Sequence, residues 1–487
     1  MTVLETLQPR EVFAFFETLA SMPRGSGNEK RVSDWIVSFA RERGLDAVQD
    51  AMYCVLVRKP GQLGLEDAPP LILHGHMDMV CEKDEGVVID FENDPITLLI
   101  KGDYITADGT SLGADNGIGC SYMLALLASD NIPHPPLEAV FTTMEEKGKY
   151  GASQFDVTQL TGKRMIDFNW ITDTEILAGC SGDITFILDI PAEWEAVPAT
   201  HTETRLLKVR GLFGGHCEFD IQLERANAVL VLARALTALL ERTDARISSP
   251  FGGAQNNAIP MDAEAVISIR PEDVPALEAL VSDLGQTLAD EYRLADPGIR
   301  LELEKAATPT RVFSAAATAR VANLTALIPN GVISWNLAVQ DRVETSNNLG
   351  TIRTTDEGAR LMSTITSALT SRKHEVLQRV RALAALAGGG VTVEQFGLDA
   401  PEFPYRPESA LLATAVQAYR DVIGAEPDVE VSQCSLELGM FSQRVAGLDT
   451  ISIGTELRDL HSPQESVNYR SVEKVWPLVR EVVSRLN

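Results

Sequence analysis

Residues 70–80 read PLILHGHMDMV. Two of the chain's seven histidines and one aspartate interrupt a run that is otherwise apolar. A short apolar run led in by prolines suits a strand buried on both faces. Side chains alternate along a strand, so positions 74, 76 and 78 project to one side. LEAVFTTME (137–145) and KRMIDFN (163–169) have the same strand character, while NEKRVSDWIVSFARERG (28–44) spaces its apolar residues at helical intervals. Such alternation implies a mainly parallel sheet covered by helices, with any site at the carboxyl ends of the strands. Each of the three runs ends in His, Asp, Glu or Asn, where a site would be built.

At 487 residues the chain exceeds what one simple core serves, so two domains are expected. Beyond about residue 188 the pattern changes. RLLKVRGLFGGHCEFDI (205–221), AEAVISIRPEDVPALEALVSDLGQTLADEY (263–292) and the stretch from VISWNLAVQ (332–340) to residue 398 interleave strands with long helices. The tail from residue 399 returns to the opening alternation. The expected organisation is an α/β domain of residues 1–188 and 399–487, with an α+β domain of residues 189–398 inserted into it.

The net charge of -27, from Asp+Glu 69 against Lys+Arg 42, argues against nucleic acid or an anionic membrane as partner, because both would be repelled. A well-solvated acidic surface is the simple account, with some carboxylates free to gather around cations. The opening residues read as an amphipathic helix rather than a leader, and no run approaches the roughly 18 apolar residues of a membrane span. Six cysteines (54, 81, 120, 180, 217 and 434) are scattered without a CxxC pair, which suits a reducing cytoplasm.

His76 at a strand end can place one ring nitrogen on a metal while Asp78 accepts a hydrogen bond from the other. The alternative is that His74 and His76 are satisfied core histidines, the simpler account for His74 alone. DGTSLGADNGIGCSYMLALLA (108–128) is a glycine-rich turn leading into an apolar helix. Asp115 there can offer two oxygens to two metals, or serve as an ordinary helix cap. Glu145 and Glu146, adjacent at a strand end, can share a site only if the strand turns there; one could then ligate metal while the other acts as a base.

Taken in order, HGHMDMV, LGADNGIG, TMEEKGKYGA, GGH (214–216), NAIP (257–260), VETSNNLG (343–350) and HSPQESV (461–467) resemble the landmarks of bacterial cytosolic aminoacyl-histidine dipeptidases. These belong to the di-zinc aminopeptidase, carboxypeptidase and aminoacylase superfamily. The resemblance spans nearly the whole chain. It implies a di-zinc peptidase domain with an inserted lid, a homodimer, and two divalent ions, with zinc the expected metal. One ion would rest on His76, Asp115 and a carboxylate from KRMIDFN, the other on Glu146 and His461, with Asp115 bridging. Asp78 would orient His76, and Glu145 would be the general base. His216 and Asn257 in the lid would contact substrate, unless His216 is only a turn histidine. The Asp115–Asn116 peptide bond would be cis.

The pattern also breaks. Counting back from EILAGCSG (175–182), the family's aspartate falls on Asn169, which coordinates through a neutral oxygen. Asp167, two residues earlier, would need a bulge or register shift to take its place. GGHCEFDI (214–221) departs from a more open glycine-rich stretch; SQCSLELG (432–439) lacks the family's histidine and APEFPYRPES (400–409) its tryptophan. The expected function is a zinc-dependent dipeptidase acting on Xaa-His-type or broader dipeptides. Two alternatives stay open: an amidohydrolase on an acylated or modified amino acid, and a weakened homologue that only binds.

Overall fold

In the computed structural model, which describes residues 3–337 and 339–487, the run around His76 forms the strand Leu71–His76 inside an eight-stranded sheet. The order across this sheet is Asp46–Gln49, Val55–Lys59, Leu137–Thr142, Leu71–His76, Arg164–Trp170, Asp449–Gly454, Glu175–Cys180 and Asp428–Ser432. Leu71–His76 runs parallel to both neighbours, and Asp449–Gly454 extends the parallel block. The hairpin Asp46–Gln49 with Val55–Lys59 closes one side antiparallel. All residues of Leu71–His76 and Leu137–Thr142 are buried, as continuous apolar strands covered on both faces must be.

The strand stops at His76, and Asp78 lies in the following loop. The expectation that residues 74, 76 and 78 share one strand face therefore extends only to His76. The helices pack their apolar stripes on this sheet: Arg10–Ala20 buries Val12, Phe13, Phe16 and Leu19, and Lys30–Glu42 buries Val32, Ile36 and Val37. Ala114–Ala128 is buried almost all round, and its Tyr122 ring stacks on Trp476 of the helix Tyr469–Ser484 at a centroid distance of 5.8 Å. A small antiparallel sheet stands beside these layers, in the order Leu457–Arg458, Ser466–Asn468, Tyr104–Ala107, Leu98–Lys101.

These elements belong to the first of two units, which holds the chain up to Cys180, Glu402–Ser432 and Leu436–Asn487. The second holds Ser181–Pro401 and Gln433–Ser435. The boundaries expected at 188/189 and 398/399 thus shift to 180/181 and 401/402. The reason is the strand Gly182–Pro191, which pairs along its length with Gly358–Ser367 and on its other edge with Thr392–Asp399. Every strand pairing in this second sheet is antiparallel. The helices Ala228–Leu240, Val274–Glu291, Ala315–Leu327 and Thr370–Ala387 complete the unit, which has a hydrophobic core of its own. Among the described residues no helix is long and apolar enough to cross a membrane.

Candidate metal centre

His76 is the last residue of its strand and is buried, with Nε2 3.0 Å from Asp115 Oδ1. On its other side Nδ1 lies 3.5 Å from Asp78 Oδ1. Asp78 also accepts hydrogen bonds from Ser26 Oγ (2.7 Å) and from the N–H groups of Glu145 (3.1 Å) and Glu146 (3.2 Å). One carboxylate therefore sets both the histidine and the turn bearing the two glutamates. Burial opposes its ionisation, but His76, Ser26 and the Glu145 N–H outweigh that and hold Asp78 below the usual range.

The glutamates can serve one site because Met144 adopts a left-handed φ of 55° two residues past the end of the strand Leu137–Thr142. Glu29 accepts the Met144 N–H at 3.0 Å and braces this kink. Asp115 sits at the start of the helix Ala114–Ala128, after Gly113 at φ 70°, and its bond to Asn116 is cis. A side chain at Gly113 would collide with Arg24, since an added Cβ would lie 2.5 Å from Nη2. While Asp115 Oδ1 faces His76, its Oδ2 lies 3.5 Å from His461 Nε2, and that nitrogen is 3.2 Å from Glu146 Oε2. His461 is held in a turn at φ 59°.

The electrostatics ask for positive charge. Asp115 and Glu146 drive the His461 imidazole up to about 11. Burial works against a charged His76, yet Asp115 and Asp78 raise it well above the ordinary value. Burial pushes Glu146 upward, and its Oε1 is buried with no hydrogen-bond partner among the described residues. His76, Asp115 and Glu146 offer ligand atoms within 4.8 Å of one another. Two imidazoles and two carboxylates are donors that suit zinc, and the unpartnered oxygen is one a cation would satisfy. Glu145 stands beside them with its carboxyl pushed to about 8, mainly by burial and further by Glu146.

The strand Arg164–Trp170 contributes differently. Asp167 is buried and turned away: its Oδ1 lies 2.7 Å from His74 Nδ1, and Ser452 Oγ donates to its Oδ2. Across the ring, His74 Nε2 is 3.2 Å from Glu437 Oε2, which also accepts from Thr142 Oγ1 at 2.6 Å. His74 is thus a core histidine clasped by two carboxylates, which lift it to about 9 against its burial. Asn169 Oδ1 accepts from Asn116 Nδ2 at 2.8 Å, so the neutral oxygen expected as a ligand is already engaged.

A model of peptidase family M20/M25/M40 matches residues 72–485. The chain belongs to this family. It is 33% identical over 486 residues to the cytosol non-specific dipeptidase of Escherichia coli strain K12, a match covering 100% of this chain and 99% of that protein. The crystal structure of the aminoacylhistidine dipeptidase from Vibrio alginolyticus is similar to it with a TM-score of 0.89 and 32% identity, over 99% of this chain and 98% of that one. Aminopeptidase PepT from Bacillus cereus shares the fold, with a TM-score of 0.56 at 14% identity over 99% of both chains.

In this M20 chain, His216 and Asn257 lie in the second unit at one small two-stranded antiparallel sheet, Gly215–His216 with Ala258–Ile259. His216 pairs with Ala258, and the Cys217 N–H donates to Asn257 O at 2.8 Å. The His216 N–H is bound by Asp220, and its Nδ1 accepts the Glu218 N–H at 3.2 Å. Sequence reasoning missed Arg24, Glu29, Glu437 and Glu465 in the first unit. Glu437 and Glu465 both lie in stretches already singled out, SQCSLELG and HSPQESV, but nothing in either stretch marks their roles.

Proposed function

We propose that this chain is a dipeptidase that hydrolyses short peptides at a centre for two divalent cations, expected to be zinc. What supports the reading is the meeting of His76, Asp115, Glu146 and His461, drawn from four distant segments, beside a glutamate that stays out of the cluster. The names of the Escherichia coli and Vibrio relatives point to dipeptides, including aminoacyl-histidine ones. Bound cations would polarise the scissile carbonyl and lower the pKa of the attacking water.

The remaining work falls to the chain. Glu145, raised toward neutrality by burial, takes the proton of the attacking water on a carboxylate oxygen and passes it to the leaving amine. Asp78 keeps the His76 ring and the Glu145 backbone in register. His216 and Asn257 are assigned to substrate contact. Asn169 brings no charge and is held by Asn116, so the ion beside His76 would bind less tightly than the one between Glu146 and His461.

The test is a panel of dipeptides assayed with and without chelator, with metal per chain measured in parallel. Wild-type protein is expected to cleave at least one dipeptide and to lose this on chelation. Zinc-loaded protein that cleaves none of the panel would overturn the reading. Asn169→Asp is expected to raise metal retained after dialysis, since it restores a charged ligand, with affinity at that position gaining about 10-fold or more.

A further inference from the structure

Glu465 is 3% exposed, and its carboxylate accepts four successive backbone N–H groups. Oε2 takes those of Leu112 (2.8 Å) and Gly113 (2.9 Å), and Oε1 those of Ala114 (2.8 Å) and Asp115 (3.3 Å). These are the orphan donors that open the helix Ala114–Ala128, which has no side-chain cap of its own. On the other side of the same turn Arg24, also buried, donates from Nη2 to Gly113 O and from Nη1 to Met77 O (2.9 Å) and Asp78 O (3.2 Å). The Gly113 peptide is thus gripped from both polar sides by opposite charges. Glu465 is itself fastened to the strand leading into that turn, through Thr106 Oγ1 to Glu465 O (3.2 Å) and the pairing of Ser466 with Thr106.

We infer that Glu465 and Arg24 are positioning residues that lock the His76–Asp78 loop, the Asp115 turn and the His461 loop into one frame, and that metal affinity depends on this frame. The inference rests on the proposed metal centre. Neither residue contacts the ligand atoms, so each acts through backbone. Glu465 stands four residues from His461 and holds the N–H of Asp115, which ties together two of the three residues expected to share the second ion.

The experiment measures zinc dissociation constants by competition with a chromogenic chelator, alongside Tm and the separate kcat and KM for a cleaved dipeptide. Glu465→Gln keeps the shape but turns one acceptor oxygen into a donor facing backbone N–H groups. It is expected to bind zinc about 10- to 100-fold more weakly, with kcat recovering as zinc is raised to saturation. A folded Glu465→Gln protein with zinc affinity within about twofold of wild type overturns the inference, whatever its Tm. Should that variant fail to fold, hydrogen exchange on wild-type protein decides: slow exchange of the amides at 112–115 supports the frame, and exchange at the rate of an open loop overturns it. Wild-type protein that binds no zinc overturns the metal centre and the inference with it, whereas normal zinc binding in Glu465→Gln removes the inference alone.

Discussion

Glu145 and Glu146 are chain neighbours with opposite surroundings. Glu146 meets His461, while Glu145 is raised mainly by burial and has no part in that pair. Glu145→Gln is expected to lower kcat by about 10²- to 10⁴-fold and leave metal content unchanged, read by dipeptide turnover and atomic absorption. His74 carries a separate pH signature. Its folded pKa of about 9 stands above the unfolded value of about 6.5, so the fold binds its proton more tightly. The stabilisation is complete below pH 6.5 and fades as pH rises through 9. Urea unfolding of wild type against His74→Gln should therefore show its widest gap at pH 6, narrowing by about 3 kcal/mol above pH 9. His76, Asp115 and the Glu145–Glu146 pair could be singled out from the residues themselves, at strand ends and a glycine-rich turn, whereas His461 and the choice of Glu146 as the ligand came only from the family resemblance. Arg24 and Glu465 were not legible, because their partners are backbone groups far away in sequence, and backbone groups leave no residue pattern.

Among the elements, the helix Ala114–Ala128 joins chemistry to packing: one end presents Asp115 and the body fills the core. Its Tyr122 hydroxyl is buried with no hydrogen-bond partner among the described residues, although the ring is stacked on Trp476. Tyr122→Phe keeps the stacking and removes an unsatisfied group, so thermal unfolding should show stability unchanged or raised by about 1 kcal/mol. Gly113→Ala should do the reverse: it adds a Cβ at a positive φ against Arg24 and should cost about 1–3 kcal/mol. The parallel strands were readable as uninterrupted apolar runs. The boundary expected at 188/189 cuts through the strand Gly182–Pro191, because alternation within a strand does not say which sheet it joins.

For the molecule as a whole, each unit has its own apolar core, but the four ligand candidates all lie in the first. Chelation should therefore lower the protection of backbone amides in Leu71–His76 and the Asp115 turn while leaving Glu203–Arg210 unchanged, as peptide-resolved hydrogen exchange would read. Ligand binding stabilises only the states that hold the ligand. The overall α/β plan with an insertion could be read from changes of periodicity, whereas the return of Gln433–Ser435 to the second unit is a tertiary matter with no local mark.

Because the chain departs after Cys180 and comes back only at Glu402, His461 and Glu465 are translated after the whole insertion. A ribosome-bound nascent chain already carrying His76, Asp115 and Glu146 lacks both the fourth ligand candidate, His461, and the Glu465 carboxylate that accepts the backbone N–H groups of the Asp115 turn. On the proposed reading, synthesis order therefore delays assembly of the metal centre until the residues that follow the insertion have been made.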